Sequence, residues 1–195
     1  MELVKASNTP FDPRGQMADI FAEGFYDQGL KFLSRDKARL ARALAHMFIL
    51  EGFYLAVEGE TVLGIVGAAQ KKPPPIKLDK GILVRELGFF RGRLAFWGLN
   101  RFCVNHPYPF VMDEKTASIE FVATSPAHRG KGVASQLVAH VMADFGFDHY
   151  VLEVIDTNPG AISVYEKLGF REFMRKPSPA PKRSGFNYFI YMRRA

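Results

Sequence analysis

The residues that first raise a chemical question are Arg129, Gly130, Lys131 and Gly132, consecutive within "SPAHRGKGVASQL" (125–137). Two glycines in three positions let the chain turn tightly and let another group approach the main chain. An apolar series comes next at helical spacing: Val133, Leu137, Val138, Val141 and Phe145. Upstream, "IEFVAT" (119–124) is β-branched and aromatic and reads as a strand. Strand, glycine turn and helix in that order aim free N–H groups and a helix dipole at an anion, often a phosphate. The Walker pattern fails here, because Gly130-Lys131 is followed by Gly132 and Val133 rather than by Ser or Thr. The dinucleotide fingerprint fails at its third glycine, where Ser135 stands. Taken alone, the turn could also be a tight strand–helix connection with no ligand.

Other reactive side chains are fewer. Glu120 lies among Ile119, Phe121 and Val122, where a carboxylate needs a reason. A base acting directly or through water would supply one; a paired or solvent-facing glutamate is an equal alternative. Glu153 holds a similar place in "YVLEVI" (150–155) and is the reserve candidate. Cys103 has no adjacent histidine and, as the single cysteine, forms no internal disulfide. Histidines at 46, 106, 128, 140 and 149 lack ligand spacing, so no metal site is expected.

The elements that must position these groups are legible from periodicity. "ELVKAS" reads as a first strand. Helices are expected in 10–29, with Met17, Ile20, Phe21 and Phe25 on one face, and in 34–52, opened by a capping Ser34 and closed by Gly52. Residues 53–70 read as a hairpin turning at Glu58-Gly59-Glu60. Pro73 to Pro75 lack N–H groups and break the chain's regular structure there. Residues 81–101 read as one interrupted helix, amphipathic, covering an end of the core with its arginines outside. RNA binding or a membrane-surface position is the lesser reading of that basic, aromatic stretch. A buried strand at 150–155, a short helix ending at Gly169 and a late strand in "SGFNYFIYMRR" complete the chain.

Composition sets the outer limits. The 195 residues fit one domain, 48% hydrophobic and 24% charged. The start lacks a secretion signal, and no apolar run nears the roughly 18 residues of a spanning helix. The expectation is a soluble cytoplasmic protein without a membrane partner. The net charge of +6 is uneven: residues 71–101 and 171–195 carry +6 each, whereas 1–70 carry −2 and 102–170 carry −4. Such patches could meet nucleic acid, a membrane or a polyanionic cofactor, and a solvated basic face is an equal alternative.

Two motifs at the right separation resolve the phosphate question. Arg129-x-x-Gly132-x-Ala134, followed by "LEVIDTNPGAISVYEKLGF" (152–170), resembles the GNAT superfamily of acyl-CoA-dependent N-acetyltransferases. The resemblance covers 116–173, and the N-terminal order of two helices and a hairpin agrees with it. A helix-containing insertion at about 71–115 departs from the family's minimal pattern.

The resemblance implies one α/β domain over residues 1–195. Its sheet would be mixed and mostly antiparallel, splayed between strands 116–124 and 150–155, with helices on both faces. It implies acetyl-CoA as co-substrate, its pyrophosphate on Arg129, Gly130, Lys131, Gly132, Val133, Ala134 and Ser135. The pantetheine arm would lie along Val122, Ala123 and Thr124, and Asn158 would bond the cofactor or cap a helix. Tyr165 would protonate the leaving thiolate, or else be a core aromatic beside Ile162 and Leu168. Glu120 would deprotonate an amine acceptor attacking directly in a ternary complex, with the insertion walling the acceptor pocket. The competing readings are a non-catalytic acyl-CoA-binding or regulatory module and, less favoured, a nucleic-acid-binding protein. A homodimer is left open.

Overall fold

The computed structural model describes residues 1–70 and 74–195. Among the described residues, seven strands form one sheet in the order β1-β2-β3-β4-β5-β7-β6. They are β1 (Glu2–Lys5), β2 (Phe53–Glu58), β3 (Thr61–Ala69), β4 (Thr116–Thr124), β5 (His149–Ile155), β6 (Arg171–Pro177) and β7 (Tyr188–Arg194). Only β4 and β5 pair in parallel; every other neighbouring pair is antiparallel. The mixed, mostly antiparallel sheet is therefore as expected. The terminal β6 and the four-residue α7 (Pro181–Ser184) were not foreseen. Six of the seven β6 residues are exposed, so no buried alternation announces the strand.

Helices cover both faces. On one side lie α1 (Arg14–Gly24) and α2 (Lys37–Leu44), which share a core with Phe53, Leu55 and Ile65. On the other lie α5 (Val133–Phe145) and α6 (Pro159–Lys167), packed with Tyr54, Val66, Leu152 and Val154. Because β2 and β3 are buried on both faces, they read as continuous apolar runs rather than as alternation. The cap of α2 is Asp36, whose carboxylate accepts from the Arg39 N–H at 3.1 Å. Ser34, the expected cap, instead accepts from the Asp36 N–H just ahead of the helix.

The expected break at Pro73 falls outside the described residues. Downstream, the single interrupted helix is two: α3 (Lys80–Leu87) and α4 (Phe89–Leu99). Gly88, at φ 87°, breaks them, a conformation other residues adopt only at a cost. The pair then folds back on itself, since a Cβ on Gly92 would lie 2.4 Å from Val84 Cα. That close approach puts Gly92, Ala95 and Leu99 inside and forces the larger side chains outward. Phe89, Phe90, Leu94 and Trp97 are exposed together with the arginines. The arginines are outside, as expected; the expectation that an amphipathic helix turns its aromatics onto the core is corrected by this packing.

Candidate active site

The split in the sheet is local and has a clear cause. Strands β4 and β5 pair from Thr116 with His149 to Ile119 with Leu152, and no further. Past that point, β4 contains a bulge in which Phe121 and Val122 together oppose Val66. Phe121 has φ 53°, the left-handed region, at a cost of about 1–2 kcal/mol for a residue with a Cβ. Its ring is held against Phe21, Phe25 and Phe53 at centroid separations of 5.6–6.3 Å, which offsets that cost. The bulge also shifts the alternation of the strand by one residue. Ala117 and Ile119 pack on the α5 side, yet it is Val122, not Phe121, that rejoins them there. The main chain of Val122 to Thr124 thus turns toward a gap that β5 does not fill.

The loop after β4 leads from this gap to the head of α5. Gly130 and Gly132 both have positive φ, 74° and 78°, and Gly132 is the residue before the helix. Among the described residues, no N–H from Gly130 to Ser135 has a hydrogen-bond acceptor; the next, Gln136, bonds the Gly132 carbonyl. Six consecutive free donors at the positive end of a thirteen-residue helix fit a pyrophosphate. The Arg129 and Lys131 side chains are exposed and can supply counter-charge. The loop requires residues of the types found there.

Tyr165 projects from α6 into the same cluster as Val133, Leu152 and Val154, at 7% exposure, with Phe170 at 6.1 Å. Its hydroxyl makes no hydrogen bond among the described residues, and burial pushes its pKa above the ordinary phenol value. It is therefore a core aromatic whose proton is nonetheless uncommitted. Asn158 caps α6, its side-chain oxygen accepting from the Ala161 N–H at 3.2 Å.

Glu120 and Glu153 lie on the opposite face of the sheet from Tyr165. The segment "HPYPF" (106–110) covers them there. Its alternating prolines hold the preceding residues extended, so His106, Tyr108 and Phe110 can share one side. Tyr108 donates to Glu120 at 3.1 Å, and the His106 ring bonds Glu153 at 3.2 Å. Tyr191 stands opposite Glu153 in the β5–β7 ladder and packs edge-on against Tyr108 and Phe110. Burial, then the charges of Glu120 and Glu153, hold the Tyr108 phenol well above its usual range. His106, Tyr108 and Tyr191 were not singled out from sequence; the alternating prolines were the available signal for the first two.

The sequence-predicted residues thus fall into two groups. Val122, Ala123, Thr124, Arg129 to Ser135, Tyr165 and Asn158 belong to the split strand, its loop and the α5–α6 side. Glu120 lies across the sheet from Tyr165, and the pairing of β4 with β5 ends between them, at Ile119 and Leu152. No group of three or more His, Cys, Asp or Glu suited to a metal occurs among the described residues.

Comparison with known proteins agrees with this architecture. The model of the acetyltransferase (GNAT) family matches residues 16–170. The chain belongs to that family of acetyltransferase enzymes. It is 42% identical over 57 residues to streptothricin acetyltransferase of Streptomyces lavendulae, covering 27% of this chain and 30% of that protein. It is 29% identical over 124 residues to N-acetyltransferase 8B of Rattus norvegicus, covering 62% and 40%. The chain therefore spans less than half the length of these curated relatives. An N-acetyltransferase structure from Staphylococcus aureus superposes with a TM-score of 0.64 at 14% identity, both chains fully covered, so the fold is shared. Among the described residues, no helix is long and apolar enough to cross a membrane.

Proposed function

We propose that this protein transfers an acetyl or other short acyl group from its coenzyme A thioester to a primary amine, by direct attack within a ternary complex. The observation that carries the reading is the row of six free N–H groups from Gly130 to Ser135, opening beside strands that part after Ile119 and Leu152. Coenzyme A matches both parts, with a pyrophosphate for the donors and an amide-bearing arm for the main chain of Val122 to Thr124. The thioester supplies an activated acyl carbon, so the chain need only position it, take one proton and give one.

Tyr165 gives the proton. Burial keeps it a phenol beyond pH 10, so it can protonate the departing sulfur as the carbon–sulfur bond breaks. Glu120 receives the proton lost by the amine as the carbon–nitrogen bond forms, directly or through water; Tyr108 orients its carboxylate. Glu153, held by His106, is placed to bind the acceptor or to replace Glu120. Cys103 has no part in this route, and no acyl-enzyme is formed. The segment 105–111 forms the wall over both carboxylates.

The test is thiol release from several acyl-CoA donors against a panel of amines: polyamines, amino-group antibiotics, amino acids and peptides. The reading expects amine-dependent release with acetylated product. Saturable coenzyme A binding with no turnover on any amine would favour the non-catalytic module. Covalent acyl-protein formed without acceptor would overturn direct attack.

A further inference from the structure

Helix α4 is apolar on two sides and buried on one. Gly92, Ala95 and Leu99 face the α3 backbone. The opposite stripe, Phe90, Leu94 and Trp97, is exposed at 84, 52 and 61%, and Phe89 and Phe102 extend it. Isolated surface hydrophobics need no explanation, but a contiguous aromatic stripe marks an interaction surface. The rings also brace one another: Phe89 meets Phe90 at 5.3 Å, and Trp97 meets Phe102 at 6.1 Å, both edge-on. Arg93 lies 5.3 Å over the Phe89 ring and Arg101 lies 5.6 Å over Phe102, so the charges flank the apolar stripe. Between Leu87 and Met112 there is no Asp or Glu at all.

We propose that α4 is a docking face for an anionic lipid surface, on which it lies flat. Rings of Phe and Trp would enter the headgroup boundary while Arg91, Arg93 and Arg101 reach lipid phosphates, as long cationic side chains do at interfaces. A helix that lies on a bilayer needs no spanning length, so the absence of a membrane-crossing helix does not bear on it. Charge decides against a second copy of the chain. A two-fold contact would set this arginine-flanked face against itself, with no acidic residue in the segment to answer it. Shape decides against RNA: the stripe is the convex side of a helix, whereas single strands are held in grooves that track the backbone. The chain runs directly from α4 through 100–104 to His106 and Tyr108, so docking would set the wall over Glu120 and Glu153 close to the bilayer.

Trp97 is the single tryptophan of the chain and lies within the stripe, so its fluorescence reports on this face alone. Vesicles of phosphatidylcholine with about 30% phosphatidylserine should shift its emission to the blue and sediment the protein; pure phosphatidylcholine should do so far less. Phe90→Ala should weaken partitioning by roughly tenfold. Arg91→Gln with Arg93→Gln should reduce the preference for anionic vesicles; both variants should keep wild-type melting temperature and coenzyme A affinity. Three results would overturn the proposal. The first is emission unchanged by anionic vesicles. The second is a blue shift produced by raising protein concentration alone, which would indicate self-association. The third is salt-sensitive quenching by an oligoribonucleotide with no response to vesicles. None of these measures acyl transfer, so the proposal stands or falls separately from the enzymatic reading.

Discussion

On the α5 side of the split sheet, the groups offered to a ligand are main-chain donors, Gly130 to Ser135, positioned by two left-handed glycines. On the other side they are side chains, Glu120, Glu153, His106 and Tyr108, brought together from three separate segments. A main-chain site can take a cofactor whose shape never changes, and it survives any substitution that preserves the local conformation. A side-chain site can be re-specified by altering a single covering loop, here 105–111. The contrast explains why the proposal for the cofactor is specific while the proposal for the acceptor stops at a chemical class.

The largest expected effect separates the two sides by chemistry. Tyr165→Phe keeps the ring and its packing against Phe170 and deletes only the hydroxyl. It should lower kcat by about 10²–10⁴-fold, with coenzyme A affinity and melting temperature nearly unchanged. Because burial raises the Tyr165 pKa, the phenol does not ionise as pH rises from neutrality to 10, so the ratio of wild-type to variant kcat should stay constant over that range. A wild-type kcat in the variant would remove Tyr165 from the mechanism.

Glu120→Gln tests the side-chain face. The rate should fall by about 10²-fold near neutrality and recover as pH rises and the amine loses its own proton. Glu153→Gln should act chiefly on the acceptor KM. If Glu153→Gln instead gives the pH-dependent loss and Glu120→Gln does not, the two roles are exchanged.

A smaller effect is expected from the main-chain face. At Gly132, φ 78° is strained for any β-branched residue, although an added Cβ would meet nothing closer than Gln136 Nε2 at 3.6 Å. Gly132→Val should therefore fold and weaken coenzyme A binding by about tenfold or more, through backbone strain in the loop. Unchanged affinity in a folded variant would contradict the loop's role.

The same contrast governs what was legible in the sequence. The strand, glycine turn and helix are encoded by neighbours, so residue type and spacing located them over 119–145, and the resemblance carried the strand back to Thr116. Tyr165 and Asn158 were singled out as candidates because a second motif lies at a fixed distance from the first. The contacts of His106 with Glu153 and of Tyr108 with Glu120 span 47 and 12 residues and depend on how a loop crosses the sheet. No periodicity records that crossing. Strand β6 escaped notice because its exposure leaves no apolar alternation, and the outward aromatics of α4 were misplaced because Gly92 reverses which face is buried. In α4 a tertiary contact overrode the local pattern; in β6 there was no local apolar pattern to read.

The most direct test of the central claim is an amide-resolved NMR titration, carried out in parallel with coenzyme A and with pantetheine, which lacks the pyrophosphate. Coenzyme A should shift the amides of Gly130 to Ser135 most strongly, together with Val122 to Thr124, and leave Phe90 and Trp97 unmoved. Pantetheine should move the strand amides at most and leave the loop unchanged. Coenzyme A binding that leaves the Gly130 to Ser135 amides undisturbed would contradict the account.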